Sequence, residues 1–172
     1  MASKRILGLV SIKIGAIAGD GGMSIALTAI GDTVKDSCVF GEGDPTKQEF
    51  FVEESDDPIE SFVTQKGTET ISWSTNNLHP DIMVLLFGGT KAGLGTQASP
   101  FTWEPPDTQD ELERSVEITD RKGNKMEIVR VKFSPKKSFS FQGTKLGQLD
   151  ITGTILLPTK ANTRKYKITY AV

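Results

Sequence analysis

The sequence holds one cysteine, Cys38, and one histidine, His79, in 172 residues. A single thiol excludes an intrachain disulfide and requires no oxidising compartment. With one thiol and one imidazole, the nitrogen and sulfur ligand set of a transition-metal site cannot be built. Long apolar runs are missing too: nothing approaches the roughly 18 residues of a membrane-crossing helix. Nucleophile–base catalysis needs a base near neutral pH, and His79 stands directly before Pro80 at a helix entrance. That is the place of a helix-entry or surface residue. The expectation is a non-enzymatic chain with no catalytic residue, no cofactor and no metal.

What is present suits one globular domain over residues 1–172, with 37% hydrophobic and 24% charged residues. Net charge is −2, but residues 1–120 hold 8 Lys and Arg against 20 Asp and Glu, while residues 121–172 hold 12 against 2. Two such halves can complement each other between copies. They can also mix, if strands from both interleave in one sheet.

Alternation of period two runs through most of the chain. Val10, Ile12 and Ile14 alternate with Ser11 and Lys13, and this strand signal outweighs the faint leader-like look of Lys4-Arg5 before Ile6–Val10. Ile71 and Trp73, Val116 and Ile118, and Phe139 and Phe141 around Ser140 follow the same rule. So do Leu149, Ile151, Ile155 and Leu157, and then Tyr166, Ile168, Tyr170 and Val172. Turn signals separate them at Asp20-Gly21-Gly22, Gly43-Asp44-Pro45, Lys66-Gly67, Lys122-Gly123-Asn124 and Ser134-Pro135. The fold class predicted is all-β, a sandwich or barrel of about ten strands. The apolar phase slips between Ile128 and Val129, which predicts a bulge there. Pro80, Asp81 and the closing Gly88-Gly89 bound one short flanking helix over 80–88, apolar nearly all round. The expected core is Ile12, Ile14, Ile71, Trp73, Leu85, Phe139, Ile151, Ile155 and Ile168.

Several chemical signals dissolve on inspection. Glu53-Glu54 and Asp56-Asp57 are neighbours on a strand and point to opposite faces, so they form no acid–base dyad by themselves. Their loop also lacks the alternating spacing of a calcium cage. Gly19-Asp20-Gly21-Gly22 leads into a strand, and Gly88-Gly89-Thr90-Lys91 has the wrong order for a phosphate loop. Phe139, Phe141, Tyr166 and Tyr170 interleave with Lys136, Lys137, Lys165 and Lys167, but strand phase puts aromatics and lysines on opposite faces. Two segments read as exposed connections: residues 91–113, anchored by Phe101 and Trp103, and an extended acidic arm at about 38–60 around Phe50-Phe51.

The remaining motifs resemble the tail tube (major tail) proteins of bacteriophages and the inner tubes of contractile injection systems. The resemblance lies in Ile12-Lys13-Ile14-Gly15 with Asp20-Gly21-Gly22-Met23, and in Glu49-Phe50-Phe51-Val52-Glu53-Glu54 with Asp57-Pro58. It continues through Leu85-Leu86-Phe87-Gly88-Gly89-Thr90, Trp103-Glu104-Pro105, Ser115-Val116-Glu117-Ile118-Thr119 and Leu149-Asp150-Ile151-Thr152-Gly153-Thr154. It spans about Ile12 to Tyr170 and contains no chemical signature. It implies a virion tail component, assembled in the host cytoplasm as stacked hexameric rings. Its partners would be further copies of itself, a tape-measure protein, and tail-terminator or baseplate proteins, with no membrane contact. Nucleic acid would be transient cargo of the lumen, so the inner wall should not be continuously basic. Glu49, Phe50, Phe51, Val52, Glu53, Glu54, Asp56 and Asp57 are then the expected inter-subunit arm. Phe50 and Phe51 take opposite faces, one free to anchor inward and the other to meet a partner. Lys136, Lys137, Lys165 and Lys167 are the expected basic stacking surface, with Lys160 and Arg164 also serving neighbours. The other expectation is a monomeric carbohydrate- or protein-binding β-sandwich, which would display Trp103 and Phe101 as an aromatic platform.

Overall fold

The computed structural model describes residues 4–108, 111–139 and 141–171; Ser140 and Val172 of the alternating runs lie outside them. Along the chain come β1 (Leu9–Ala16), β2 (Thr28–Ala29), β3 (Val39–Glu42), β4 (Thr46–Val52), β5 (Ser55–Gln65) and β6 (Glu69–Thr75). Helix α1 (Pro80–Phe87) is followed by β7 (Thr90–Ala92), β8 (Thr102–Glu104), β9 (Glu113–Asp120), β10 (Lys125–Phe133), β11 (Lys136–Ser138), β12 (Gln148–Ile155) and β13 (Tyr166–Thr169). The described residues are all-β with a single short helix, as alternation and punctuation predict. The strands beyond the expected ten are pieces such as β2, β7, β8 and β11, too short to leave a period in the sequence.

Nine strands share one antiparallel sheet in the order β2-β1-β9-β10-β12-β6-β3, with β13 added on β10 and β11 on β12. Strand β10 is the pivot. Residues Lys125 to Ile128 hold β13 at one edge, and Val131 to Phe133 hold β12. The changeover coincides with a bulge between Ile128 and Val131 against β9, where the slip in apolar phase predicts one. A bulge bends the strand and sharpens its twist, so the sheet folds over on itself into a sandwich. Ser115 satisfies a group that the broken ladder releases, its Oγ donating to the Val129 carbonyl at 2.7 Å, and it also accepts from the N–H of Ser24 in the β1–β2 connection at 3.0 Å.

Between the layers lie Ile12, Ile14, Ile71, Trp73, Val116, Ile128, Val131, Phe133, Leu149, Ile151 and Ile155, closed by Ile82, Met83, Leu86 and Phe87 of α1. His79 caps the helix, its Nδ1 accepting from the Asp81 N–H at 3.3 Å, and Gly88 ends it at φ 74°. The helix is apolar all round because β7 and β8 cover its outer side; Trp103 packs on Phe87 and its Nε1 donates to the Gly88 carbonyl at 2.9 Å. The segment expected as an open connection at 91–113 is thus partly a hairpin. Gly153, inside β12, leaves room for its neighbours: a Cβ there would sit 2.3 Å from Val131 Cγ1.

Three core expectations change. Leu85 and Ile168 are only half-buried, and Phe139 lies outside the core at 47% exposed, followed by Phe141 at 99%. Strand β11 stops at Ser138, so the Phe139–Phe141 alternation has no ladder to orient it. Val10 faces solvent despite sharing phase with Ile12, because a bulge between Leu9 and Ser11 turns it over.

Asp120, at the β9–β10 turn, ties both ends of the chain to the sheet. Its Oδ1 accepts from the N–H groups of Lys122 and Asn124, each at 2.8 Å, and its Oδ2 accepts from the Asn124 side-chain amide at 2.7 Å and the Leu7 N–H at 3.2 Å. Asn124 in turn donates to the Arg5 carbonyl and accepts from the Ala171 N–H. Burial opposes the charged carboxylate, but the bonds from Asn124, Leu7 and Lys122 outweigh it and hold the pKa below the usual range. A depressed folded pKa stabilises above the unfolded value of about 3.9 and ceases to do so as pH falls through the folded value. Protection of the Leu7 and Ala171 amides, relative to their intrinsic exchange, is expected to fall as pH drops through the folded value, below about 3.9, while β9 and β10 stay protected. Asp120→Ala should show the same loosened ends at neutral pH.

Candidate assembly surface

Strands β3 and β6 pair as Val39↔Ser72 through Glu42↔Glu69, and β4 and β5 begin at Thr46↔Gln65. Opposite residues keep one offset across the gap, where the Gly43 N–H donates to the Thr68 carbonyl at 2.9 Å. β3–β4 and β5–β6 are therefore one antiparallel ribbon with an interruption. Pro45 cannot donate to a ladder, and at Gly67 the backbones come so close that a Cβ would lie 1.6 Å from the Gly43 carbonyl oxygen. Only glycine fits there. The proximal half of the ribbon belongs to the main sheet, and the distal half leaves it.

The distal half, β4–β5, is exposed at every residue. The acidic stretch expected as an arm at about 38–60 thus divides. Val39–Glu42 pairs with β6 in the body, while the projecting hairpin continues to Gln65 because its pairing does. Glu49, Phe50, Phe51 and Val52 lie on β4, Glu53-Glu54 form the turn, and Asp56 and Asp57 open β5. Phe50 does not anchor inward: it stacks on Phe62 of the same hairpin, centroids 5.4 Å apart, and Phe51 on the other face is 58% exposed. Val52, Ile59 and Val63 are exposed as well. Phe62, Ile59 and Val63 were missed in the sequence, although the β-branched and aromatic residues Ile59, Phe62, Val63 and Thr64 after Pro58 favour a second strand.

A two-stranded hairpin without a layer beneath it is marginal in water, and both of its edges offer unpaired backbone groups. Exposed apolar side chains clustered in this way are unusual on the surface of a monomeric domain. Among the described residues, none of the hairpin carboxylates takes part in an ion pair.

The body behaves differently. Lys125–Glu117 (4.0 Å), Arg130–Glu113 (2.7 Å), Lys132–Glu111 (2.5 Å), Lys160–Asp20 (2.6 Å) and Lys165–Glu69 (2.6 Å) join the basic C-terminal part to the acidic N-terminal part. Interleaved strands mix the charges there. The Arg130 guanidinium bonds both Glu113 carboxylate oxygens and holds that carboxyl below its ordinary range. Of the expected basic surface, Lys137 sits 5.0 Å over the rings of Phe87 and Trp103, Lys136 lies across the ladder from Asp150, and Lys165 is committed to Glu69. Lys167, 3.9 Å from Glu127, stays largely exposed. Lys136 and Lys137 lie on β11 against the start of β12, whereas Lys165 and Lys167 lie at β13 against the start of β10, so the four form no single patch. Instead Lys160, Arg164 and Lys167 rim a recess of about 490 Å³ above Met23, Val129 and Tyr166.

Trp103 is half-buried under its bond to Gly88, and Phe101 carries His79 against its ring and Lys91 Nζ at 4.2 Å. They present no flat platform. Among the described residues no group of three or more His, Cys, Asp and Glu side chains is placed to hold a metal ion, and no helix is long and apolar enough to cross a membrane. No family model matches the chain, and no curated protein matches it.

Proposed function

We propose that this chain is a non-enzymatic structural subunit that associates with copies of itself, and that the assembly is a tail tube. The observation that carries self-association is the β4–β5 hairpin, wholly exposed, apolar on both faces and charged at its turn. Such an element gains its stabilisation from a neighbour rather than from its own domain. The tube, its six-membered rings, the virion tail location, the tape-measure, terminator and baseplate neighbours and the nucleic acid in the lumen rest on the sequence resemblance. The contacts of Lys137, Lys160 and Lys165 with rings and carboxylates of their own subunit support the same reading, because cations so held are less free to grip a passing phosphate chain. Nothing in the placement of Trp103 and Phe101 favours the monomeric carbohydrate- or protein-binding module.

Sedimentation and negative-stain microscopy over a concentration series test the proposal. Rings or tubes are expected, growing with concentration and weakening in high salt, where exposed charges are screened beyond about 3 Å at 1 M. A single-subunit mass at every concentration, with no polymer on storage, overturns it.

A further inference from the structure

The hairpin turn breaks local rules without compensation inside its own chain. Two-residue hairpin turns favour Asn-Gly or Asp-Gly, yet Val52 and Ser55 are joined here by Glu53-Glu54, followed at once by Asp56 and Asp57. Four carboxylates within five residues repel one another, and among the described residues no cation pairs with any of them. Beneath them Phe51 and Val52 are exposed at 58% and 38%. The tip is an acidic cap over an apolar base, with an open concavity lined by residues 51–56.

The body carries the converse arrangement. In the recess beside β13, the less exposed Met23, Val129 and Tyr166 form an apolar floor and the exposed Lys160, Arg164 and Lys167 form the rim, with Glu127 the one carboxylate among the described lining residues. Lys160 is shared with Asp20, and Lys167 is only loosely held by Glu127. Arg164 is exposed, with no ion pair to a described residue. An apolar centre inside a charged rim is how protein interfaces are commonly organised.

We infer that this recess receives the hairpin tip of a second copy of the chain. The fold keeps the two apart within one subunit. Lys165 Nζ is 2.6 Å from Glu69, and Tyr166 packs edge-on against Phe40 at 5.3 Å, so the recess strand is fastened beside the root of the ribbon. The tip lies at the far end, roughly 30 Å from that root at about 3.3 Å per residue. A ladder-bonded hairpin does not fold back over that length, so its tip reaches the root region of another subunit. Tip to root is a head-to-tail contact between two different surfaces, the kind that closes rings or extends filaments. The inference rests on the self-association proposed above and names the receiving site.

Charge reversal on each side tests it. Glu53→Lys with Asp56→Lys reverses the tip, and Arg164→Glu with Lys167→Glu reverses the rim. Each pair alone is expected to weaken association at least about a hundredfold by sedimentation, with an unchanged circular dichroism spectrum and melting midpoint. Mixing the two variants, or combining all four changes in one chain, is expected to restore assembly. If the rim variant assembles like the unmodified chain while the tip variant fails, the recess is not the receptor and self-association through the hairpin stands. If both variants fail and neither mixing nor combination restores assembly, the tip–recess pairing is likewise overturned. If the unmodified chain does not assemble at all, the proposed function falls and this inference with it.

Discussion

Replacing residues 47–64 by Asn-Gly, which closes the ribbon just beyond Thr46, is expected to abolish self-association and leave the folded subunit intact. Asn-Gly supplies the turn that a two-residue hairpin favours, and the Thr46↔Gln65 pair is the last one it must respect. Nothing of the core is removed, since every residue of β4 and β5 is exposed and the buried cluster draws on none of them. The melting midpoint should therefore stay within a few degrees or rise, because fewer residues must be ordered. Association should change far more. The truncation removes Phe50, Phe51 and Phe62; aromatic anchors at an interface contribute about 2 kcal/mol each, so if only two of the three act as anchors association already weakens by about a thousandfold. Analytical ultracentrifugation, paired with a thermal melt, reads both quantities on one sample. Assembly that survives the truncation removes the hairpin from its proposed role.

The largest effect on stability is expected at Trp73. It is 1% exposed in the centre of β6, stands edge-on to Phe133 with centroids 5.6 Å apart, and pairs across the ladder with Ile151. Both halves of the sandwich press on this ring, so the space left by truncation cannot be filled from one side. Trp73→Ala should lose about 3–5 kcal/mol in chemical denaturation, the range for removing a large buried aromatic. Trp73→Phe should lose considerably less. The indole Nε1 is buried with no hydrogen-bond partner among the described residues, so the phenyl ring forfeits contact area but no hydrogen bond. If the two variants lose the same amount, the indole N–H is making a bond that this geometry does not show.

Local chemistry determined a good part of this protein. The all-β class was legible because a half-buried strand stamps period two on its side chains, as Ile12 and Ile14, Ile71 and Trp73, and Leu149 and Ile151 do. The single helix was legible because proline opens it and glycine closes it, and neither signal needs a distant partner. The bulge of β10 was legible because adding one residue reverses the phase of everything beyond it. What only the tertiary structure decided depends on which segments meet. Phe139 and Phe141 alternate like a strand but lie beyond the last pair of β11, and period two buries nothing without a ladder. Lys160 and Lys165 look like part of a basic half until interleaved strands bring Asp20 and Glu69 to them. The arm read at about 38–60 became a hairpin at Thr46–Gln65 because its root is fixed by the pairing of Val39–Glu42 with β6, a choice between strands that no local pattern encodes. Hydrophobic phase and turn chemistry act over a few residues and are written in order along the chain. Strand partnership is settled by the sum of distant contacts, and it left the acidic hairpin outside the body while pairing carboxylates such as Glu69 and Glu113 with cations of the basic part within it.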